Sequence, residues 1–202
     1  MENSPRLLMA VIGALCLVGV CKAVESPVYT VAHLESEFEI RLYTQSTWMS
    51  ASVVPVHPRC QPELLSNRID SPVLTSIVPE AGPLHSSAYF VRFYLPLKFQ
   101  ADPPSPLPEL NLKPYVWDSH YVAVRKFSGF ARDRNIVKQA EKLAASLSRS
   151  PWANCTSSES DYAYSIAQYS SPFKFVGRVN EVWVDIVGSG LEGCKPSSIA
   201  TY

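Results

Sequence analysis

Residues Glu37–Val73 read EFEIRLYTQSTWMSASVVPVHPRCQPELLSNRIDSPV. Two kinds of pattern meet in them. First, Phe38, Ile40 and Leu42 alternate with Glu37, Glu39, Arg41 and Tyr43, the period of two that marks a half-buried strand. Thr47–Val54 reads as its neighbour, and the short Thr44-Gln45-Ser46 link predicts a hairpin. Then the pattern breaks. Pro55, Pro58 and Pro62 punctuate the interval before Ser71. Proline removes a helical hydrogen bond and clashes with the preceding turn, so no helix is expected there. The same interval holds His57 and Cys60, a His-x-x-Cys spacing that is either half of a metal or haem site or an ordinary solvent loop.

Outward from this stretch, most of the chain reads as strands: Val73–Val78, Ser87–Leu95 with aromatic residues on both faces, His120–Phe127, Asp161–Tyr169 and Asn180–Ile186. One segment carries a helical period. Ile136, Val137, Ala140, Leu143, Ala144 and Leu147 form one face, and Arg132, Lys138, Gln139, Glu141, Lys142 and Ser146 mostly take the other. Pro151 ends it, because the residue before a proline avoids helical backbone. The proline-rich ADPPSPLPEL (Ala101–Leu110) reads as a connector between two halves rather than a docking ligand. Ser71-Pro72-Val73 and Ser171-Pro172-Phe173 suggest an internal repeat, each preceding an aromatic strand. Strands and a helix in a doubled arrangement predict an α+β fold on a curved antiparallel sheet.

The 202 residues carry 18 basic and 18 acidic side chains, so no basic face for nucleic acid is implied. Arg6 followed by the apolar run Leu7–Val20 and small residues up to Ala23 reads as a secretory leader, residues 1–23, before a single domain over residues 24–202. No later apolar run is long enough to span a membrane. The processed chain would be secreted and would keep Cys60, Cys155 and Cys194 on a route that permits disulfides. Cys155–Cys194 is the favoured pair with Cys60 left over, although spacing leaves the other pairings open. Asn154-Cys155-Thr156 is a glycosylation sequon, which a disulfide at its middle residue would hinder.

FEIRLY, the ADPPSPLPEL loop, VAVRKFSGFA (Val122–Ala131) and YSSPFKFVGRVNEVWVDI (Tyr169–Ile186) together resemble the SOUL haem-binding family. The leader and GPLHSSAYFVRFYLP resemble its plant-type members. The resemblance implies a distorted antiparallel β-barrel of two β-α-β-β halves. It also implies binding of haem or related tetrapyrroles without chemistry on them. Two positions depart from the family pattern. The first-half helix is replaced by the proline-broken interval, and Leu42 stands where some animal members carry a histidine.

A haem binder needs an apolar slot, cations at its mouth and, in some cases, an axial ligand. On these grounds His57, Cys60, Arg41, Arg92, Tyr89 and Phe93 are the candidate haem contacts, with haem iron as the only metal considered. Each arginine has a plainer expected place on a solvated outer face, and each aromatic in the core. Glu37 and Glu39 share a solvated strand face, and no hydrolase or phosphate-binding motif is present. Loss of a core-facing helix predicts lower stability and an exposed sheet face. That face suggests a rival role, a protein–protein interaction module or homodimer.

Overall fold

The structure is a computed structural model that describes residues 25–53, 71–79, 86–155, 163–171 and 173–186. Nine strands follow in chain order: β1 (Tyr29–Leu34), β2 (Glu39–Tyr43), β3 (Ser46–Val53), β4 (Val73–Pro79), β5 (Ser86–Tyr94), β6 (Leu112–Trp117), β7 (His120–Ser128), β8 (Tyr164–Gln168) and β9 (Val179–Ile186). The one α-helix among the described residues is α1 (Asp133–Leu147), between β7 and β8. His57 and Cys60 lie outside the described residues, as do the leader, His85 and Cys194.

All pairings are antiparallel, in the order β1-β2-β7-β9-β8-β4-β5-β3-β6. The eight strands beyond β1 form a palindrome. Exchanging β2 with β6, β3 with β7, β4 with β8 and β5 with β9 reverses the order and leaves it unchanged. The chain is therefore two equivalent halves meeting at the β4–β8 seam, each lending its first strand to the other half.

The same order requires the sheet to curl. β6 and β7 stand six places apart, roughly 29 Å in a flat sheet at about 4.8 Å per strand. Yet only Asp118 and Ser119 separate them, a span of at most about 11 Å. The equivalent link, Thr44-Gln45 between β2 and β3, makes the same crossing. The two links lie together, with Gln45 Nε2 donating to Asp118 Oδ1 at 3.2 Å. The predicted β2–β3 hairpin is therefore not formed. These strands pair with opposite halves because their link closes the curl.

Three apolar clusters hold the fold. Inside the curl are Tyr43, Trp48, Leu74, Tyr94, Val122, Val124, Ala167 and Trp183. On the outer face of the second half, Ile136, Ala140, Leu143 and Leu147 of α1 lie buried, and the last three pack with Phe38, Ile40, Ala123, Val182 and Ile186. The helix begins where Asn135 Oδ1 accepts from the Arg132 N–H at 2.7 Å, half of a capping box. It ends before Pro151, where Ser150 Oγ donates to the Leu147 carbonyl. On the outer face of the first half are Met49, Val73, Val91, Phe93 and Leu95. These five are buried, flanked by Tyr89, Phe99 and Leu112. The predicted exposed sheet face is thus absent among the described residues.

Two more readings are corrected. The two halves and the match of β5 with β9 implied by Ser71-Pro72 and Ser171-Pro172 hold, but their hundred-residue offset does not, because it would set β4 against the β8–β9 loop, whereas the topology equates β4 with β8. The expected solvated faces of Arg41 and Arg92 point into the curl, and both residues are 1% exposed.

Candidate functional site

The polar interior takes two of the predicted contacts, Arg41 and Arg92. Arg41 on β2 meets Glu181 on β9 through two hydrogen bonds, NH1 to Oε2 at 3.1 Å and NH2 to Oε1 at 3.0 Å. Its Nε donates to Glu39 at 2.8 Å and NH1 also to the Tyr43 hydroxyl at 2.9 Å. Glu181 Oε2 further accepts from Tyr169 Oη at 2.8 Å and Trp183 Nε1 at 2.9 Å. Burial, with the neighbouring Glu181 carboxylate, pushes the Tyr43 and Tyr169 phenols well up, although Arg41 opposes it, so both stay protonated at neutral pH, Tyr169 donating to Glu181 and Tyr43 accepting from Arg41. Across the seam, Arg92 NH1 donates to Ser76 Oγ at 2.7 Å, and Ser165 Oγ to the same oxygen at 2.8 Å. The Arg92 guanidinium lies against Phe90, Tyr115 and Trp117 at 5.5, 4.6 and 5.2 Å from their centroids.

This interior is a structural network. Arg41 is committed to protein carboxylates, and the curl is filled by side chains, as expected of a barrel this small. Strand alternation also separates the predicted aromatics from the predicted arginines. Phe90 shares the inner face with Arg92, while Tyr89 and Phe93 belong to the outer cluster. Sequence reasoning therefore grouped residues that the pleat places on opposite faces.

Outside the core, one loop stands apart. Residues 169–178 join β8 to β9, and Arg178 staples them from within. Its NH1 donates to the carbonyls of Ser171 and Lys174, both at 2.9 Å. Lys174 N–H bonds back to the Ser171 carbonyl at 3.0 Å, and Val179 N–H to Ser170 Oγ at 3.1 Å. Gly177 turns the chain at φ +65°, where a side chain would be strained. With the inside of the loop occupied, the apolar side chains face out: Phe173 is 72% exposed, Phe175 74% and Val176 85%. Phe130, between β7 and α1, continues the patch, 6.3 Å from the Phe175 ring and under the Arg178 guanidinium at 4.5 Å. Gly129 is fixed there by Asn180 Nδ2, which donates to its carbonyl at 2.8 Å. Arg132 and Lys174 border the patch, both exposed.

An apolar surface with cations beside it suits a flat apolar ligand carrying carboxylates. The signal in the sequence was FKFVG, three apolar residues in a segment with no period. Neither described histidine adjoins this patch. His33 contacts Glu35 at 2.9 Å and Trp152. His120 begins β7 and Gly129 follows its far end, roughly 26 Å along the strand. The His120 imidazole is sandwiched between Trp117 and Tyr43, with Nδ1 2.6 Å from the Asp118 carbonyl and Nε2 buried without a hydrogen-bond partner. Cys155 is disulfide-bonded and buried, next to Asn154 of the sequon. Its expected partner lies outside the described residues. Among the described residues no cluster of three metal-ligating side chains occurs, and no helix is long and apolar enough to cross a membrane.

A doubled, curled antiparallel sheet with a helix on its outer face and an apolar loop at its end defines the class. The chain belongs to the SOUL heme-binding protein family, whose pattern matches residues 66–185. It is 28% identical to human heme-binding protein 2 over 166 residues, which cover 73% of this chain and 77% of that protein. It is 29% identical to the mouse heme-binding protein 2 over 58% of this chain and 54% of the relative. Pig heme-binding protein 1 is 30% identical over 56% of each.

Proposed function

We propose that this chain binds haem or a related tetrapyrrole at the patch of Phe130, Phe173, Phe175 and Val176, without acting on it chemically, and that it does so as a secreted protein. The observation that carries the reading is the stapled loop, which holds three apolar side chains in solvent within a family named for haem binding. Leaving such side chains exposed forgoes about 1.5–3 kcal/mol for each large one. A ligand that covers them recovers part of this.

The residues fit the group. The phenyl rings and Val176 offer the apolar face, and Arg132 and Lys174 offer charge-assisted bonds to propionates. Haem would bring its own redox chemistry, and the chain would supply only the surface and the cations. Arg178 holds the loop's carbonyls and keeps its shape. With the phenyl rings and Val176 as the main contact, iron-free protoporphyrin should compete with haem.

Titration of the purified protein with haem, followed at the Soret band, tests this. A saturable curve that Phe175→Ser weakens about tenfold is expected, on the order of one ring contact. An unsaturable response in the wild-type protein would sink the reading. Secretion is tested separately, by finding the chain in the medium with Val24 at its amino terminus.

A further inference from the structure

The loop has a second property, which concerns what it meets from outside. Phe173, Phe175 and Val176 protrude from a tip and do not line a cleft, as their exposures of 72%, 74% and 85% show. They cannot fold back, because Arg178 occupies the inside of the loop and Gly177 fixes its turn. Lys174 stands between the two phenylalanines in sequence, and Arg132 and Arg134 follow Phe130 at the start of α1. All three cations are exposed, and none makes an ion pair within 4 Å among the described residues. The carboxylates that face β7 are paired within the sheet: Glu37 with Arg125 at 2.7 Å, and Glu39 with Lys126 at 2.7 Å and with Arg41. Asp133 is the one acidic residue beside the arginines in sequence, in the first turn of the helix.

We propose that this tip docks the protein on an anionic membrane surface, with Phe173, Phe175 and Val176 at the headgroup–acyl boundary and Lys174, Arg132 and Arg134 on lipid phosphates. A protruding apolar tip with a basic border is the pattern of interfacial binding, where apolar burial and attraction to anionic lipid act together. A bilayer boundary is fluid and needs no complementary pocket, so it accepts a tip of any shape. A folded protein partner would have to offer a cavity matched to three side chains. The basic border selects anionic over neutral lipid. The inference uses the same loop as the tetrapyrrole reading but requires no tetrapyrrole to be present.

The test is co-sedimentation of the protein, as recovered from a secreting host and without haem, with two vesicle populations. One is phosphatidylcholine alone and the other contains phosphatidylserine. Wild-type protein is expected to pellet with the anionic vesicles, and less so as salt is raised. Phe173→Ser with Phe175→Ser, and separately Lys174→Glu, are each expected to weaken this by about tenfold or more. Any effect of other apolar segments is common to all variants. Wild-type protein that stays in solution, or variants that pellet like wild type, would overturn the proposal. So would a wild-type dimer in light scattering that the double variant makes monomeric without any vesicle binding, since the tip would then cover a second copy. Soret titrations on the same samples keep the two readings apart. Variants that lose vesicles but keep haem support docking and move the tetrapyrrole elsewhere. Variants that lose haem but keep vesicles refute docking and leave the tetrapyrrole reading intact.

Discussion

Glu181 is the residue on which the interior turns. Its carboxylate receives two guanidinium N–H groups, a phenol and an indole, with almost no solvent contact. Removing one partner of a buried pair strands the other charge, typically at 3–5 kcal/mol. Glu181→Ala should therefore cost on that order in urea unfolding, a large share of the roughly 5–15 kcal/mol available to a domain. Two other residues predict the pH response. Burial lowers the pKa of His120 below its ordinary 6.5. The unfolded chain thus takes up that proton first, so the stability contribution is full above about 6.5 and declines as pH falls through the folded value. His120→Asn should flatten the fall in Tm between about pH 7 and about pH 5. For Glu39, burial would raise the pKa, but hydrogen bonds from Lys126 and Arg41 prevail and hold it below 4.5. Its contribution is present above the unfolded value and is lost in stronger acid, and Glu39→Gln should reduce that loss.

At the scale of elements, the start of α1 and the β8–β9 loop are each set by one residue. Asn135 accepts from the Arg132 N–H and donates to the Phe130 carbonyl, so it joins the helix start to the apolar patch. Asn135→Ala should lower stability by about 1 kcal/mol, read as a drop in Tm. Gly177→Ala places a side chain at φ +65° and should cost about 1–2 kcal/mol, mainly by loosening the loop. A tetrapyrrole titration of this variant should show weaker binding although no contact residue has changed. The elements themselves were largely legible in the sequence. Strand-like patterns marked β2, β3, β4, β5, β7, β8 and β9, with the period of two clearest in β2, and the 3.6 period marked α1. β6 was not legible, because Pro114 interrupts it and the prolines of 101–110 precede it. As an edge strand it tolerates the missing N–H. The exposed loop has no period, so its role emerges only once the three apolar residues are seen in solvent.

For the whole molecule, alternation could not say which face of a strand was wet, because the curl buries both. Arg41 and Tyr43 read as the polar side of β2, yet they face an interior as closed as the side under α1. The partner that makes this tolerable, Glu181, lies 140 residues away in the chain, beyond the reach of any local pattern. Likewise, the proline-broken interval foretold a bare sheet. Met49, Val73, Val91, Phe93 and Leu95 are nevertheless buried. Restoring a helix of family type there should therefore raise Tm little, since the apolar area it would cover is already shielded.

The palindromic strand order bears on how the chain acquires its structure. β2 is made early and finds its inner neighbour in β7, while β3 must wait for β6. Neither half can be completed from its own residues, as in a domain-swapped pair joined by one tether. Such dependence on distant pairings predicts slow folding. It also predicts that cutting the 101–107 tether would yield two fragments, each incomplete alone, that reassemble when mixed.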